Sequence, residues 1–377
     1  MPPSTTLFIA ACSTLVASAG PSAGPLPVTG SGPCVTCHVS ARQVVDGVMA
    51  TRAGERAFAR RAFGDEGERV FASTCNGCHV SGCESCHEAG AGFTRRPSDD
   101  ACLRCHRGDS AGWELHGRAP REDHPRYRRG RRAEGEPYLS MLPDVHQERG
   151  MTCAYCHPMA TLGAGRAGAR RCTDCHTPSS GSSPEHAIAA HLSKLACVAC
   201  HAAWAAQEYG TFLVKADDND ELAMLPRWGA FYKSAHLRRQ DAPSLGLDAA
   251  GLVAPIRPRY VLFVTDPSRG WENRLLAAEW RAFAPHTVRR GSVPCGSCHD
   301  NPRRFLLEPD EARIYWPDAD GLPLRSYWSG DGQRVTNGAF FPQERFQRSS
   351  VRTPDYARKA VQRWKALLNR AAARSAR

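Results

Sequence analysis

Cysteine and histidine recur along this 377-residue chain in one fixed spacing, C-x-x-C-H, which occurs eight times. Two thiols at this spacing can form thioether bonds to one haem, and the histidine that follows can bind its iron, which is the attachment signature of c-type haem. The motifs use sixteen of the seventeen cysteines. They are Cys34-Cys37-His38, Cys75-Cys78-His79, Cys83-Cys86-His87, Cys102-Cys105-His106, Cys153-Cys156-His157, Cys172-Cys175-His176, Cys197-Cys200-His201 and Cys295-Cys298-His299.

Paired C-x-x-C units also form zinc ribbons and thiol–disulfide redox sites. Neither site requires a histidine directly after the second cysteine, whereas all eight pairs carry one. We therefore predict eight covalently bound haem c groups, with the sixteen motif cysteines as thioether attachment points and the eight motif histidines as proximal iron ligands. His79 and His87 are eight positions apart, which is at most about 26 Å along a fully extended chain. The haems of this tandem pair must therefore be neighbours.

Seven histidines outside the motifs are candidate distal ligands: His116, His124, His146, His186, His191, His236 and His286. Seven ligands for eight irons leave at least one iron without a second histidine. That iron could take Lys233 or a methionine, or stay open; the methionines are Met49, Met141, Met151, Met159 and Met224. Two imidazoles saturate an iron and suit it to carrying single electrons, whereas an open iron could bind nitrite, hydroxylamine or a sulfur oxyanion.

The composition indicates that a cofactor supplies part of the core. The chain has 33 Gly and 27 Pro and a mean hydropathy of -0.45, yet seven motifs fall within residues 34–201. The formal charge of +11 would suit nucleic-acid binding. The chain contains no zinc-finger spacing, RNP signature or phosphate loop, so we assign the basic run from Arg126 to Arg132 to haem propionates or a solvated face and predict no nucleic-acid partner.

The chain divides by its motifs. Residues 1–20 hold a short apolar run that predicts an export signal; Ile9-Ala10-Ala11-Cys12 resembles a lipobox, which makes Cys12 a lipidation candidate, and the alternative is an ordinary signal cleaved after Ala19. We then expect a flexible tether at 21–33, a seven-haem domain at 34–201, a haem-poor segment with strand and helix at 202–294, the eighth haem with an irregular tail at 295–352 and a basic amphipathic helix at 353–377.

Local patterns predict a few regular elements. Residues 41–72 are helix-like, Tyr260–Thr265 is a strand candidate and residues 271–283 have a helical pattern. A short helix is expected from Glu185, on which His186 and His191 point to different faces and so serve two haems. The apolar stripe of the last helix is expected to pack; it comprises Tyr356, Val361, Trp364, Leu367 and Leu368.

The motif set resembles multihaem c-type cytochromes of bacteria that respire metals or chalcogen oxyanions. The segment from Asp144 to His157 is similar to one in electron-conduit cytochromes, where the histidine seven residues ahead of the thiol, here His146, caps a neighbouring iron. Residues 271–307, with AFAPHTVRRG, CGSCH and RRFLL, are similar to cytochromes of selenite/tellurite-reduction and outer-membrane-conduit operons. Residues 208–212 occupy the place where those cytochromes carry a further haem motif, so the resemblance implies that this chain binds one haem fewer than they do.

The resemblance implies a multihaem cytochrome c fold, with mainly short helices and irregular loops wrapped around haems and a small α+β haem-poor C-terminal part. It implies a periplasmic, outer-membrane or cell-surface lipoprotein of a Gram-negative bacterium that carries electrons. The implied partners are other cytochromes, an outer-membrane porin conduit and, through the lipid anchor, the membrane. The alternative is an octahaem reductase of the tetrathionate, nitrite/hydroxylamine or selenite/tellurite type.

Overall fold

The structure is a computed structural model. It describes residues 42–74, 80, 83–87, 96–108, 111–120, 132–133, 136–216, 227–228, 231–233, 237–308, 334–350 and 356–375. The predictions for Cys12, the export signal, the tether, the first two motifs (Cys34-Cys37-His38 and Cys75-Cys78-His79), His124, His236 and Met224 lie outside these residues.

Most of the helices are one to three turns long. They are α1 Arg42–Val45, α2 Val48–Thr51, α3 Ala53–Phe63, α4 Gly67–Thr74, α5 Asp99–Leu103, α6 Gly112–Leu115, α7 Cys153–Cys156, α8 Ala189–Lys194, α9 Cys197–His201, α10 Gly296–His299, α11 Gln343–Ser350 and α12 Tyr356–Ser375. The predicted helical stretch at 41–72 is confirmed, but it is divided at Arg52 (φ 49°) and Gly64 (φ 58°), both in the left-handed half of backbone space.

The strands fall into two sheets. β1 Arg118–Pro120, β2 Arg132–Ala133 and β3 Glu136–Ser140 form a small sheet in the order β1-β3-β2. The nine that follow are β4 Ala205–Lys215, β5 Arg227–Trp228, β6 Phe231–Lys233, β7 Leu237–Asp241, β8 Leu245–Asp248, β9 Val253–Asp266, β10 Trp271–Ala282, β11 Arg334–Val335 and β12 Gly338–Ala339. They form one sheet in the order β11-β10-β9-β4-β6-β5, with β7 on β4, β8 on β9 and β12 on β8.

The longest pairing in this sheet is the antiparallel hairpin of β9 and β10. The strand predicted at Tyr260–Thr265 is confirmed within β9. The helix predicted for residues 271–283 is wrong, because Trp271–Ala282 form β10. Their Leu, Ala and Glu favour helix intrinsically. The turn after Asp266 overrides that preference, since Gly270 (φ 64°) reverses the chain and lays β10 against β9.

The sheet has a conventional apolar core. Leu213, Phe231, Leu262 and Val264 pack against Phe58, Phe63, Val70 and Phe71 of α3 and α4. A second cluster buries Ala199 of the Cys197–His201 motif among Leu245, Val253, Phe305, Phe341 and Phe346. The seventh motif is therefore anchored to the sheet by side-chain packing.

Residues 145–197, which hold two motifs and the start of a third, are built differently. The structure describes every one of them, and each is exposed or half-buried. Short helices, 3-10 turns and loops follow one another here without a side-chain core. The helix expected from Glu185 starts later, at Ala189, because residues 183–188 form turns closed by the Ser183 hydroxyl and carbonyl.

The C-terminal helix α12 confirms the helix predicted after Pro354. The expectation that its apolar stripe packs is wrong for the three stripe residues whose side chains the structure describes. Val361, Trp364 and Leu368 are 52%, 51% and 62% exposed. The helix carries Arg358, Lys359, Arg363, Lys365, Arg370 and Arg374 and no acidic residue, so it is strongly basic as predicted.

Candidate metal centres

Each described motif folds into a single helical or 3-10 turn. In five of them the amide of the motif histidine donates to the carbonyl of the first cysteine, at 2.8–3.0 Å: His87 to Cys83, His106 to Cys102, His157 to Cys153, His176 to Cys172 and His299 to Cys295. One turn of this kind brings positions i, i+3 and i+4 to one side of the backbone. The two thiols and the imidazole of a motif can therefore address a single flat group.

The motif histidines meet the histidines from outside the motifs in four pairs. The ring centroids are 6.1 Å apart for His146 and His176, 6.4 Å for His157 and His286, 6.1 Å for His186 and His201, and 6.2 Å for His191 and His299. Each pair contains one motif histidine and one non-motif histidine, and none joins two of a kind. This is the division expected when each pair consists of a proximal and a distal ligand of one iron.

The separations fit two imidazoles on opposite sides of one metal ion. A ring nitrogen binds a metal at about 2.0–2.1 Å and lies roughly 1.1 Å from its ring centroid, so two axial rings have centroids roughly 6.3 Å apart. Direct stacking of the rings would bring them much closer. At each of these four motifs, the two facing imidazoles therefore fit one haem iron with two histidine ligands.

The second ring nitrogen, Nδ1, is occupied in five of the eight rings. Nδ1 lies 3.1 Å from the Gly291 carbonyl oxygen in His201, 3.1 Å from the Glu185 carbonyl oxygen in His191, and 2.7 Å from the Ser349 carbonyl oxygen in His299. Ser182 Oγ lies 2.7 Å from His186 Nδ1. Metal-binding histidines are commonly oriented in this way, because the bond at one nitrogen directs the other to the metal.

Asp144 orients the fifth ring and is 5% exposed. Its Oδ1 accepts the His146 amide at 2.8 Å and lies 3.0 Å from His146 Nδ1. Its Oδ2 accepts the Val288 amide at 2.8 Å. One carboxylate thus fixes a histidine of the motif-rich part and ties it to the strand-rich part. Sequence reasoning assigned Asp144 no role of its own, although its position two residues before His146 is a usable signal.

Glu114 performs a similar task near His286 and is 1% exposed. It accepts the amides of His286 at 2.9 Å and of Ala206 at 3.2 Å, and Arg257 lies 3.6 Å away. Glu114 thereby joins α6, β4, β9 and the segment that carries His286. No pattern in the sequence marked this residue.

Several of the paired rings are held in the neutral form. Burial, reinforced by neighbouring cationic side chains, lowers the pKa of His286 to about 4. Burial also lowers the pKa of His157 and of His191. Imidazole must be unprotonated to bind a metal, so these environments favour the ligand form.

Each described motif interacts with the next one along the chain, and this succession of motifs is called the row. Cys86 interacts with Cys102, and Cys102 is hydrogen-bonded to Cys153; both contacts contribute to the pKa shifts of the thiols. The row continues through Cys156 and Cys175, Cys172 and Cys197, and Cys200 and Cys298. In the three central motifs, one thiol therefore faces the preceding motif and the other faces the following motif.

The predicted site residues can now be placed. His186 and His191 face different motif histidines, as their spacing predicted, and His146 faces His176 rather than His157 of the motif that follows it. His286 faces His157, from far along the chain. Among the described residues, no imidazole ring faces that of His106 in the way that the rings of the four pairs face each other. Burial and the charges of His157, Arg259 and Arg52 lower the pKa of His106. His87 and His116 lie within the described residues. The assignment of a methionine or Lys233 to the eighth iron stays a prediction.

Comparison with protein-family models, with curated proteins and with solved structures found no match.

Among the described residues, no helix is both long and apolar enough to cross a membrane. The same residues contain no group of three or more Cys, His, Asp and Glu side chains arranged around a common point for a bare metal ion. The twelve described cysteines form no disulfide.

Proposed function

We propose that this protein is an exported octahaem c-type cytochrome that carries single electrons along a row of haem c groups. The four imidazole pairs carry the proposal, because each offers one motif and one non-motif histidine at the separation of two ligands of one iron. Haem iron between two imidazoles changes its charge by one electron and has no position for a substrate.

The protein's own part is attachment, ligation and spacing. The cysteines of each motif would fix one edge of the cofactor, and the motif histidine would bind one face of it. His146, His286, His186 and His191 would bind the opposite faces at the sixth, fifth, seventh and eighth motifs. Asp144, Ser182 and three backbone carbonyls hold the rings in place.

The lack of buried side chains in residues 145–197 supports the same proposal. Ordering a residue costs roughly 1–2 kcal/mol of backbone entropy, and burial of apolar side chains normally offsets that cost. In this segment no side chain is buried. Five of its histidines, at 146, 157, 176, 186 and 191, belong to the pairs, so large apolar macrocycles at these positions would supply the missing core.

The contact of each described motif with the next supports electron transport along the chain. Thiols of neighbouring motifs touch or interact electrostatically, which would place the attached cofactors edge to edge. We propose other redox proteins as donor and acceptor, export through the N-terminal signal, and anchoring at the periplasmic or outer surface through Cys12.

A reductase with one open haem is the second candidate, and His106 favours it. Arg52 and Arg259 are near enough to His106 to lower its pKa, and guanidinium groups bind oxyanions well. Carbon monoxide tests this candidate, because it binds only an open ferrous haem. Uptake of one carbon monoxide per eight haems supports a reductase of nitrite, tetrathionate, selenite or tellurite, and no uptake supports a pure carrier.

The main test is haem loading with ligand replacement. Expression in a host that matures c-type cytochromes should increase the mass by eight haems, and electron paramagnetic resonance should show mainly low-spin ferric iron. His186→Met and His191→Met should each convert one low-spin signal to a methionine-ligated one. Ser182→Ala is the matched control, because it removes the Nδ1 partner of His186 and a bond to the Ser179 carbonyl but leaves the imidazole in place. A protein without bound haem, or with several high-spin irons, would rule the carrier out.

The ring angles sharpen this test. The planes of His191 and His299 differ by 25°, and those of His186 and His201 by 60°. Near-parallel axial rings separate the two iron d orbitals that share electrons with them, whereas steeply crossed rings leave the orbitals close in energy. The signal lost in His186→Met should therefore have the larger maximum g value.

A further inference from the structure

Arg304 is a buried cation at the contact of the last two motifs. It is 4% exposed and lies in the 3-10 turn Pro302–Phe305, whose start is capped by Asn301. Its Nη2 donates to the Ala199 carbonyl at 2.9 Å, inside the seventh motif, and its Nε donates to the Pro243 carbonyl at 3.3 Å. Its Nη1 lies 3.7 Å from Cys298 Sγ in the eighth motif.

The charge of Arg304 is not neutralised by the described part of the chain, where no carboxylate lies within ion-pair distance of it. The guanidinium lies at both motifs, because Nη2 is bonded to the carbonyl of Ala199, next to Cys200, and Nη1 contacts Sγ of Cys298. A buried charge is screened much less by salt than an exposed one. Its field therefore reaches both attachment sites.

Earlier contacts in the row carry the opposite charge. Asp99 Oδ1 accepts the Cys153 amide at 2.8 Å, where the fourth and fifth motifs meet. The buried Asp144 lies 3.0 Å from Nδ1 of His146, whose ring faces His176 of the sixth motif. Arg104 and Arg170 are exposed and Glu185 is half-buried, so solvent and salt screen their charges more than those of Asp144 and Arg304. The most deeply buried charge is negative at the sixth motif and positive at the last two.

We propose that Arg304 raises the reduction potentials of the seventh and eighth haems, so that electrons carried by the row collect at its C-terminal end. The inference rests on the proposed function, because it requires haem at both motifs. Reduction removes one positive charge from a haem iron, so a nearby fixed cation favours the ferrous state. An electron delivered to the row would then settle at the end where Arg304 lies, with no bond made or broken.

The test is a potentiometric titration of the haem-loaded protein, with Arg304→Gln and Arg304→Lys. Arg304→Gln removes the charge and should lower two midpoint potentials, each by at least about 59 mV, which is a tenfold change in the ferric-to-ferrous ratio for one electron. Arg304→Lys keeps the charge and should restore most of that shift, even where the lost hydrogen bonds reduce thermal stability. Arg166→Gln, at an exposed arginine, is the control and should shift neither potential.

The two affected haems are identified by the low-spin signals that His186→Met and His191→Met alter. Unchanged potentials in Arg304→Gln with eight haems bound would overturn the inference and leave the proposed function intact. Equal losses of potential in the Gln and Lys variants would overturn it too, since Arg304 would then act through packing alone. A protein that binds no haem would instead refute the proposed function.

Discussion

The sheet formed by residues 205–282 and the motif-rich segment 145–197 are stabilised in different ways. In the sheet, Leu213, Ile256 and Trp280 are at most 1% exposed, and long strands share their hydrogen bonds. In the segment, every residue is exposed or half-buried. A sheet of this kind can exist with protein alone, whereas the segment has paired imidazoles and free thiols with no side-chain core around them. Protein interior stabilises one region, and bound cofactor would stabilise the other.

The two regions nevertheless depend on each other. His286 and Val288 follow the sheet in the chain, yet they contact His157 and Asp144 of the motif-rich part. Ala199 of the seventh motif lies in the core of the sheet. The comparison therefore teaches that the sheet supports the motif-rich part at two places: the segment after β10 brings His286 to His157, and the core of the sheet holds the seventh motif.

The largest expected effect comes from withholding haem. In haem-free protein, amides of residues 145–197 should exchange with solvent roughly a thousandfold faster than in haem-loaded protein, which corresponds to losing about 4 kcal/mol of local stability. Amides of β9 should keep most of their protection, because Leu262 and Val264 stay buried in the core of the sheet. Hydrogen exchange followed by mass spectrometry measures both regions in one sample. Equal protection of residues 145–197 with and without haem would contradict the comparison.

An effect of similar size, but arising from a single side chain, is expected from a cavity in the sheet. Trp280 is fully buried and its ring lies 5.7 Å from that of Phe340. Trp280→Ala should destabilise the sheet by about 3–5 kcal/mol. Trp364→Ala is the matched control, because Trp364 is 51% exposed and its loss should cost within about 0.5 kcal/mol. Urea unfolding followed by far-ultraviolet circular dichroism compares them, and similar midpoints for the two variants would show that the sheet does not depend on this core.

The sequence predicted much of the candidate site, because C-x-x-C-H has a spacing that one helical turn explains. It also predicted that His186 and His191 face different partners, although the helix on which that prediction rested begins at Ala189 and does not include His186. It could not predict that His157 meets His286, because residues 129 positions apart are joined by the sheet and not by local pattern. Glu114 was missed for the same reason: a single acid in Gly112–Leu115 has no periodicity that marks burial.

The fold of the motif-poor segment was predicted only in part. The β-branched and aromatic residues of β9 indicate a strand on their own, whereas β10 contains Leu, Ala and Glu, which favour helix. β10 is a strand because its neighbour β9 supplies hydrogen-bond partners from Ile256 to Asp266. Its last residues do alternate, with Trp280 and Ala282 buried and Arg281 exposed. That short alternation was the available signal against the helical pattern.

The smallest expected effect concerns the turn that makes β10 a strand. Asp266 is 1% exposed, accepts the Ser268 amide at 3.0 Å and lies 3.4 Å from Lys215 Nζ. Burial by itself would raise the pKa of Asp266, but the Ser268 hydrogen bonds and the Lys215 charge lower it below its usual value. Because the folded state has the lower pKa, the carboxylate stabilises the protein above about pH 4, and this contribution is lost as the pH falls below that value.

Asp266→Asn should therefore cost about 1–2 kcal/mol at pH 7, the value of a charged hydrogen bond, and the difference from the unmodified protein should shrink between pH 4 and about pH 2. Lys215→Met keeps the carboxylate but removes the cation, so the folded pKa should rise and part of the acid dependence should disappear. Urea unfolding at a series of pH values measures both. An Asp266→Asn protein with the same stability at pH 7 and the same acid dependence as the unmodified chain would show that the carboxylate does not hold this turn. The β9–β10 hairpin would then depend on strand pairing and Gly270 alone.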